Sequence, residues 1–236
     1  MDVRWSEIQA DRTAAGANTR STSSGFGRRV IEVGEGSLRQ EFWYRSHWIA
    51  PEADLVDTDL FGADLLLTDL FGANLSRADL QSANLATSDL SGADLSKANL
   101  AGLNGVAAWF VCADFEGADL GLANLMAAKL DGGCFVGADL GGANLAAASL
   151  QGANLTRACL VGANLFRANL EGANLRQVQS KGANYSDANL RSADLSGTDL
   201  YGACLCQADL TGAVADEVTC WPDGFDPVTA GVIFRV

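Results

Sequence analysis

Histidine is almost absent from this chain of 236 residues: His47 is the only one. No Ser-His or Cys-His catalytic arrangement can therefore be assembled along most of its length. The six cysteines, Cys112, Cys134, Cys159, Cys204, Cys206 and Cys220, contain no Cys-x-x-Cys pair. Without that spacing or a second histidine, structural zinc is disfavoured, and the expectation is free thiols in a reducing compartment, with no metal and no cofactor. Long apolar runs are missing too, because Asp, Asn or Gly interrupts each one within a few positions. No transmembrane helix is expected, and the N-terminus shows no apolar core of a secretory signal.

Basic charge is scarce where it would matter for nucleic acid. The formal net charge is −13, and residues 53–212 hold 18 acids against 8 bases. Such an acidic body argues against direct phosphate binding and leaves a basic protein partner open. Residues 12–29 differ: Arg12, Arg20, Arg28 and Arg29 stand among Ser, Thr and Ala with no acid in the stretch. That is the composition of an organelle transit peptide or, more plainly, of a solvated basic tail. A cytoplasmic location is the expectation, with a plastid or thylakoid-associated one as the alternative.

What the chain has in abundance is a period of five. From Leu55 to Leu210 every fifth residue is Leu or Phe at 29 of 32 positions, the exceptions being Gly105, Ser180 and Tyr185, with no phase slip. A small residue, usually Ala, stands two before each, and Asp or Asn usually stands between. Five fits neither the helical period of 3.6 nor the strand period of 2. A chain turning a right angle once per pentad does fit. Twenty residues then close one square coil, and coils stack at strand spacing of about 4.8 Å. Leu and Ala point into a narrow bore, the intervening Asp or Asn points out, and the last two residues make the corner, where Gly accepts positive φ. Two departures look mutually compensated, Gly105 with Leu103 and Ser180 with Val178, as a packed core requires.

The uninterrupted Ala-(Asp/Asn)-Leu run resembles the pentapeptide-repeat family. The resemblance implies an all-β, right-handed quadrilateral β-helix of about eight coils over residues 53–212, a solenoid that binds proteins and catalyses nothing. It also implies that relatives include DNA mimics protecting gyrase, that some relatives dimerise through the C-terminal end, and that the family is abundant in cyanobacteria and plastids.

Flanking segments 1–52 and 213–236 read as caps, since open solenoid edges would polymerise. Ser37 and Gln40 form a capping-box signal, and Leu38, Phe42, Arg45 and Ile49 share one helical face before Pro51, so a short helix is predicted over 38–48. Phe42, Trp43, Tyr44 and Trp48 are expected to pack on the apolar exterior of the first coil, at Val56, Phe61, Leu66, Leu67 and Phe71, or else to form a partner-binding patch. At the other end the run from Thr219 to Pro227 resembles the tail that follows the repeats in many relatives. Trp221 and Phe225 are expected to plug the bore, and Asp226-Pro227 to start one helical turn.

Residues twenty apart should stack, so function is sought in columns. One column carries Asn84, Asn104, Asn124, Asn144, Asn164 and Asn184, followed at the next outward position by Leu66, Ala86, Val106, Met126, Ala146 and Phe166. This flat, nearly uncharged strip is the first candidate for a protein-binding face, although such an Asn ladder also satisfies itself. Trp109 and Lys129 replace the usual Asp or Asn on the next face, as a hot spot or a local cation–π pair. A second column carries Asp59, Asp79, Asp119, Asp139 and Asp199, which could imitate DNA phosphates. Cys159 and Gln179 break it, and Arg157, Arg167, Arg176, Lys181 and Arg191 mix the sign of the C-terminal half. Cys204 and Cys206 flank Leu205 and both point outward, which permits a redox or metal role; surface thiols without a role are the plainer reading.

Overall fold

The computed structural model describes residues 28–33, 37–44 and 47–235. Most of them form a β-helix solenoid in which each residue preceding a central Leu pairs, in parallel, with its counterpart twenty residues on. The series runs from Asp54–Asn74 to Asp194–Val214 without a slip. Each side contributes one paired residue before the chain turns, so the ladder consists of single bridges and the extended strands lie only at the two ends.

Backbone hydrogen bonding explains the pentad. In the first side the Leu55 N–H donates to the Asn74 carbonyl at 2.7 Å, the Asn74 N–H to Ala53 at 2.9 Å, and the Asp57 N–H to Ser76 at 3.1 Å. The Thr58 N–H closes the corner onto the Leu55 carbonyl at 3.2 Å. One N–H per pentad is left over, that of the first corner residue. The Asp or Asn two positions earlier takes it: the Gly121 N–H donates to Asp119 Oδ1 at 2.9 Å and the Phe166 N–H to Asn164 Oδ1 at 3.2 Å. This is an Asx turn, and it satisfies a donor that would otherwise face water at every corner.

Every second corner residue from Glu52 to Gly212 has positive φ, and eighteen of them are not glycine. Glycine is thus frequent but not required there. The bond from this residue's N–H to the next coil holds the left-handed conformation whatever the side chain, at a local strain of about 1 kcal/mol for a non-Gly residue.

The bore is dry. Central Leu residues from Leu55 to Leu200 are at most 1% exposed. Around Gly105 the void is filled by three neighbours: a methyl built on Gly105 would lie 2.9 Å from Leu125 Cδ2, 3.4 Å from Phe110 and 3.5 Å from Leu103. Leu103 therefore contributes as expected, with Phe110 and Leu125 alongside it. Phe115 stacks on Phe135 at 4.7 Å, and Phe110 meets Phe115 edge-on at 5.3 Å. At Ser180 the compensation is chemical as well as steric. Val178 is fully buried, and the hydroxyl of fully buried Tyr185 bonds Ser180 Oγ at 2.7 Å.

The helix expected over 38–48 is not there. Strand β1 (Arg28–Val33) pairs antiparallel with β2 (Ser37–Tyr44), which pairs antiparallel with β3 (His47–Ile49), placing Trp43 opposite Trp48. A capping box stabilises a helix by roughly 1 kcal/mol, whereas two antiparallel ladders of strand-forming residues stabilise the sheet more. The missed signal is the run Val30-Ile31-Glu32-Val33 followed by Gly34-Glu35-Gly36, a strand and a turn. Ile49 is buried in the solenoid core and Tyr44 packs against it. The side chains of Phe42 and Trp43, and residues 12–27 of the basic stretch, lie outside the described residues.

At the C-terminal end one residue is inserted, so that Cys220 pairs with Asp199 twenty-one positions earlier. Thr219 occupies the small inward position and its hydroxyl donates to the Leu195 carbonyl at 3.1 Å. Trp221 and Phe225 stack at 5.3 Å and both pack against the core. Asp226 caps one helical turn, closed by the Ala230 N–H on the Asp226 carbonyl, and β4 (Val214–Ala215) pairs in parallel with β5 (Ile233–Phe234).

Candidate functional site

The solenoid has a convex exterior, so any site is built from outward positions repeated along it. The Asn column is a hydrogen-bonded ladder. Asn84 Nδ2 donates to Asp64 Oδ1 at 3.0 Å and Asn104 Nδ2 to Asn84 at 2.8 Å; Asn144, Asn164 and Asn184 each donate to the preceding Asn at 3.0, 3.0 and 3.2 Å. Their Oδ1 atoms also accept corner N–H groups, as at Ala86, Met126 and Ala146. Asn84, Asn104, Asn124, Asn144 and Asn164 are half-buried accordingly. These amides tie coil to coil, except that no such bond joins Asn124 to Asn104.

Beside the ladder runs the corner ridge. Leu66 and Met126 are exposed, Val106 and Phe166 half-buried, and the paired second positions are Leu67, Thr87, Ala107, Ala127 and Ala147. No charge occurs on this ridge until Arg167, whose guanidinium lies 4.8 Å over the Phe166 ring. Trp109 stands on the adjoining face, 53% exposed, bridged to Asp89 below and Lys129 above. Among the described residues no cation lies over the Trp109 ring, so of the two readings offered for Trp109 and Lys129 the local cation–π pair does not form. Phe61 and Phe71 are half-exposed on the first coil.

The Asp column stacks as expected: Asp59–Asp79, then Asn99, then Asp119–Asp139, then Cys159, Gln179 and Asp199. Each of these aspartates accepts a corner N–H, at Phe61, Gln81, Gly121, Gly141 and Tyr201. Asn99 donates to Asp79 at 3.1 Å, and Lys181 Nζ lies 3.2 Å from Asp199. The row is thus structural first, and its last carboxylate is paired.

Several contacts lay beyond sequence reasoning because their partners are eighteen or twenty residues apart. Arg77 grips Asp57 through two 2.7 Å bonds, while Arg176 and Arg191 reach Asp194 and Asp209 one coil on. The Thr211 hydroxyl and N–H, helped by Arg191, hold Asp209 down at about 2. Burial raises Asp194, but Ser196, Arg176 and Arg235 outweigh it and leave it below the ordinary range. Burial pushes the Tyr185 phenol up to about 12. Among the described residues no three His, Cys, Asp or Glu side chains converge on a metal-sized site, and no helix is long and apolar enough to cross a membrane.

The family model for pentapeptide repeats matches this chain in eight copies, spanning residues 49–77, 68–104, 108–146, 123–162, 143–178 and 181–212. The chain belongs to the pentapeptide-repeat family. Among solved pentapeptide-repeat proteins it is similar to HetL of the cyanobacterium Nostoc sp. strain PCC 7120, involved in heterocyst differentiation regulation. The identity is 30% over 69% of this chain and 85% of HetL, with a TM-score of 0.33. It is similar in fold to QnrB1, a plasmid-mediated fluoroquinolone resistance protein, at 20% identity over 77% of this chain and 88% of that one, with a TM-score of 0.51. A thylakoid-lumen pentapeptide-repeat protein of Arabidopsis thaliana is 35% identical over 44% of this chain and 68% of its own, with a TM-score of 0.19. No curated protein matches this pentapeptide-repeat chain.

Proposed function

We propose that this solenoid is a non-enzymatic protein–protein interaction module, a scaffold or assembly subunit that binds a protein partner along the corner ridge beside the Asn ladder. One observation carries the reading. From Leu66 to Ala147 ten successive ridge positions are uncharged on a chain of net charge −13, and most of the neighbouring amides are already bonded coil to coil. Covering such a strip removes apolar surface from water without stripping polar groups of partners. Trp109, exposed at its flank, supplies an aromatic anchor of the kind that dominates interface energetics.

We read the N-terminal three-stranded sheet and the Trp221–Phe225 lid as caps that keep the sheet edges from pairing with other chains. Catalysis is not part of the reading: the exterior carboxylates sit on convex walls, tied to backbone N–H groups, with no cleft to desolvate them. The test is a comparative pull-down from the native source with Met126→Glu plus Phe166→Glu. Loss of the wild-type partners, with an unchanged β circular-dichroism spectrum, supports the ridge; retention of every partner sinks it.

The second reading is a DNA-mimicking inhibitor or protector of a type II topoisomerase, favoured by the stacked pairs Asp59–Asp79 and Asp119–Asp139 at coil spacing. The breaks at Cys159 and Gln179 and the Lys181–Asp199 pair weigh against it. A gyrase supercoiling assay with neither inhibition nor protection at micromolar protein removes it.

A further inference from the structure

Cys204 and Cys206 occupy the two outward positions around buried Leu205 in the last coil. Elsewhere these positions bring side chains into hydrogen-bond reach: Ser76 Oγ lies 2.9 Å from Asn74 Oδ1, and Ser186 Oγ 2.6 Å from Asn184 Oδ1. The same pentad geometry sets the two sulfurs 3.0 Å apart, with the Ser186 hydroxyl 3.1 Å from Cys204 Sγ. All six described cysteines are free thiols, and this is the one sulfur–sulfur contact among them. A disulfide bond measures about 2.05 Å, so closure needs a sulfur displacement of about 1 Å, taken up by side-chain rotation on a backbone anchored through Leu205.

We propose that Cys204 and Cys206 form a thiol–disulfide exchange site, closing to an internal Cys204–Cys206 disulfide at the expense of a low-molecular-weight disulfide of the glutathione type. The roles of the two sulfurs are distinct. The Cys206 thiol and the Cys206 N–H beside it lower the Cys204 thiol below its ordinary range, while the Ser186 hydroxyl donates its one proton to Asn184 Oδ1. Cys206 is raised, because its proton is held on Cys204 and a Cys204 thiolate repels a second charge. The proposal assigns the attack to Cys204 and the resolving role to Cys206, exposed beside it. Cys134 contrasts with Cys204: burial raises it, and Asp114 adds to the rise.

The exchange balances in two steps. The Cys204 thiolate attacks one sulfur of oxidised glutathione, forming a mixed disulfide and expelling one glutathione thiolate, which takes up a proton. Cys206, losing its proton to solvent, then attacks Cys204 Sγ and expels the second glutathione. Two protein thiols lose two electrons in all, and one glutathione disulfide becomes two glutathione thiols.

The test equilibrates the full chain in buffers of graded oxidised-to-reduced glutathione ratio at pH 7, followed by acid quench, alkylation and peptide mass spectrometry. The expected result is a Cys204–Cys206 disulfide that forms while Cys112, Cys134, Cys159 and Cys220 remain alkylatable. In Cys206→Ser a persistent glutathione adduct on Cys204 is expected. Cys204→Ser should react at Cys206 more slowly by at least about threefold, since thiolate fraction sets the rate. A wild-type chain that accumulates mixed disulfide without closing, or whose six cysteines react at one common rate, overturns the proposal.

Discussion

At the residue scale the pentad assigns each position a physical task, and the Asp or Asn position carries two. Its Oδ1 accepts the corner N–H, and in the Asn ladder its Nδ2 reaches the coil before. Asn144→Ala removes three bonds, to Asn124, from Asn164 and from the half-buried backbone donor at Ala146, and should lower stability by about 1–2 kcal/mol in urea unfolding. Position 131 shows how the exterior compensates when the rule is broken. Ser149 stands where Asp or Asn is usual, and Asp131 one coil earlier accepts both the Ser149 hydroxyl and the Gln151 N–H. Tyr185→Phe strands the buried Ser180 hydroxyl and should cost about 1–3 kcal/mol, partly regained when Ser180→Ala is added. The phenol's folded pKa lies above its unfolded value of 10.0. Its contribution is present below pH 10 and is lost as pH rises toward 12; alkaline unfolding of Tyr185→Phe should lack that component.

Elements here are the bore and the corners. The bore tolerates variation only when neighbours absorb it. Gly105→Ala would press a methyl to 2.9 Å from Leu125 Cδ2, and overpacking of that kind should destabilise by about 1–3 kcal/mol; thermal melts would read the loss. Corners are governed by backbone conformation. At Gly162, where φ is +66° and open space surrounds the missing Cβ, Gly162→Ala should cost about 1 kcal/mol through the backbone alone. The bore was legible in the sequence because Leu recurs every five residues whatever the face. The sheet formed by β1, β2 and β3 was not. A helical face over Leu38, Phe42, Arg45 and Ile49 competes with strand propensity over the same residues, and the competition is settled by β1, which supplies the partner.

At the scale of the whole molecule, stability adds coil by coil, because each coil touches only its neighbours. Excising residues 143–162, one full coil that contains none of the stacked phenylalanines and not Tyr185, should leave a folded, shorter rod by circular dichroism and small-angle scattering. Excising only residues 143–147 should fail, since it rotates every later face by a quarter turn and puts the Asn ladder above a different column. Acid should weaken the C-terminal coils first. Asp209 has a folded pKa of about 2 against an ordinary 3.8, and Asp194 and Asp216 are also depressed. The stability they contribute is present above about pH 4 and is lost as pH falls toward 2. Asp209→Asn should flatten that part of the acid-unfolding curve.

The five-residue rhythm by itself determined the solenoid, its bore and its columns, because the repeat is local and every coil obeys the same short-range geometry. It also determined which residues share a wall. Tertiary structure alone decided what those walls can offer. Whether an Asn amide faces a partner or its neighbour, whether Lys129 reaches Trp109, whether Lys181 neutralises Asp199, and whether two thiols meet at 3.0 Å depend on side-chain directions between positions two, eighteen or twenty residues apart. A one-dimensional pattern carries the spacing of such groups, and the direction of each side chain arises only once the coils are stacked.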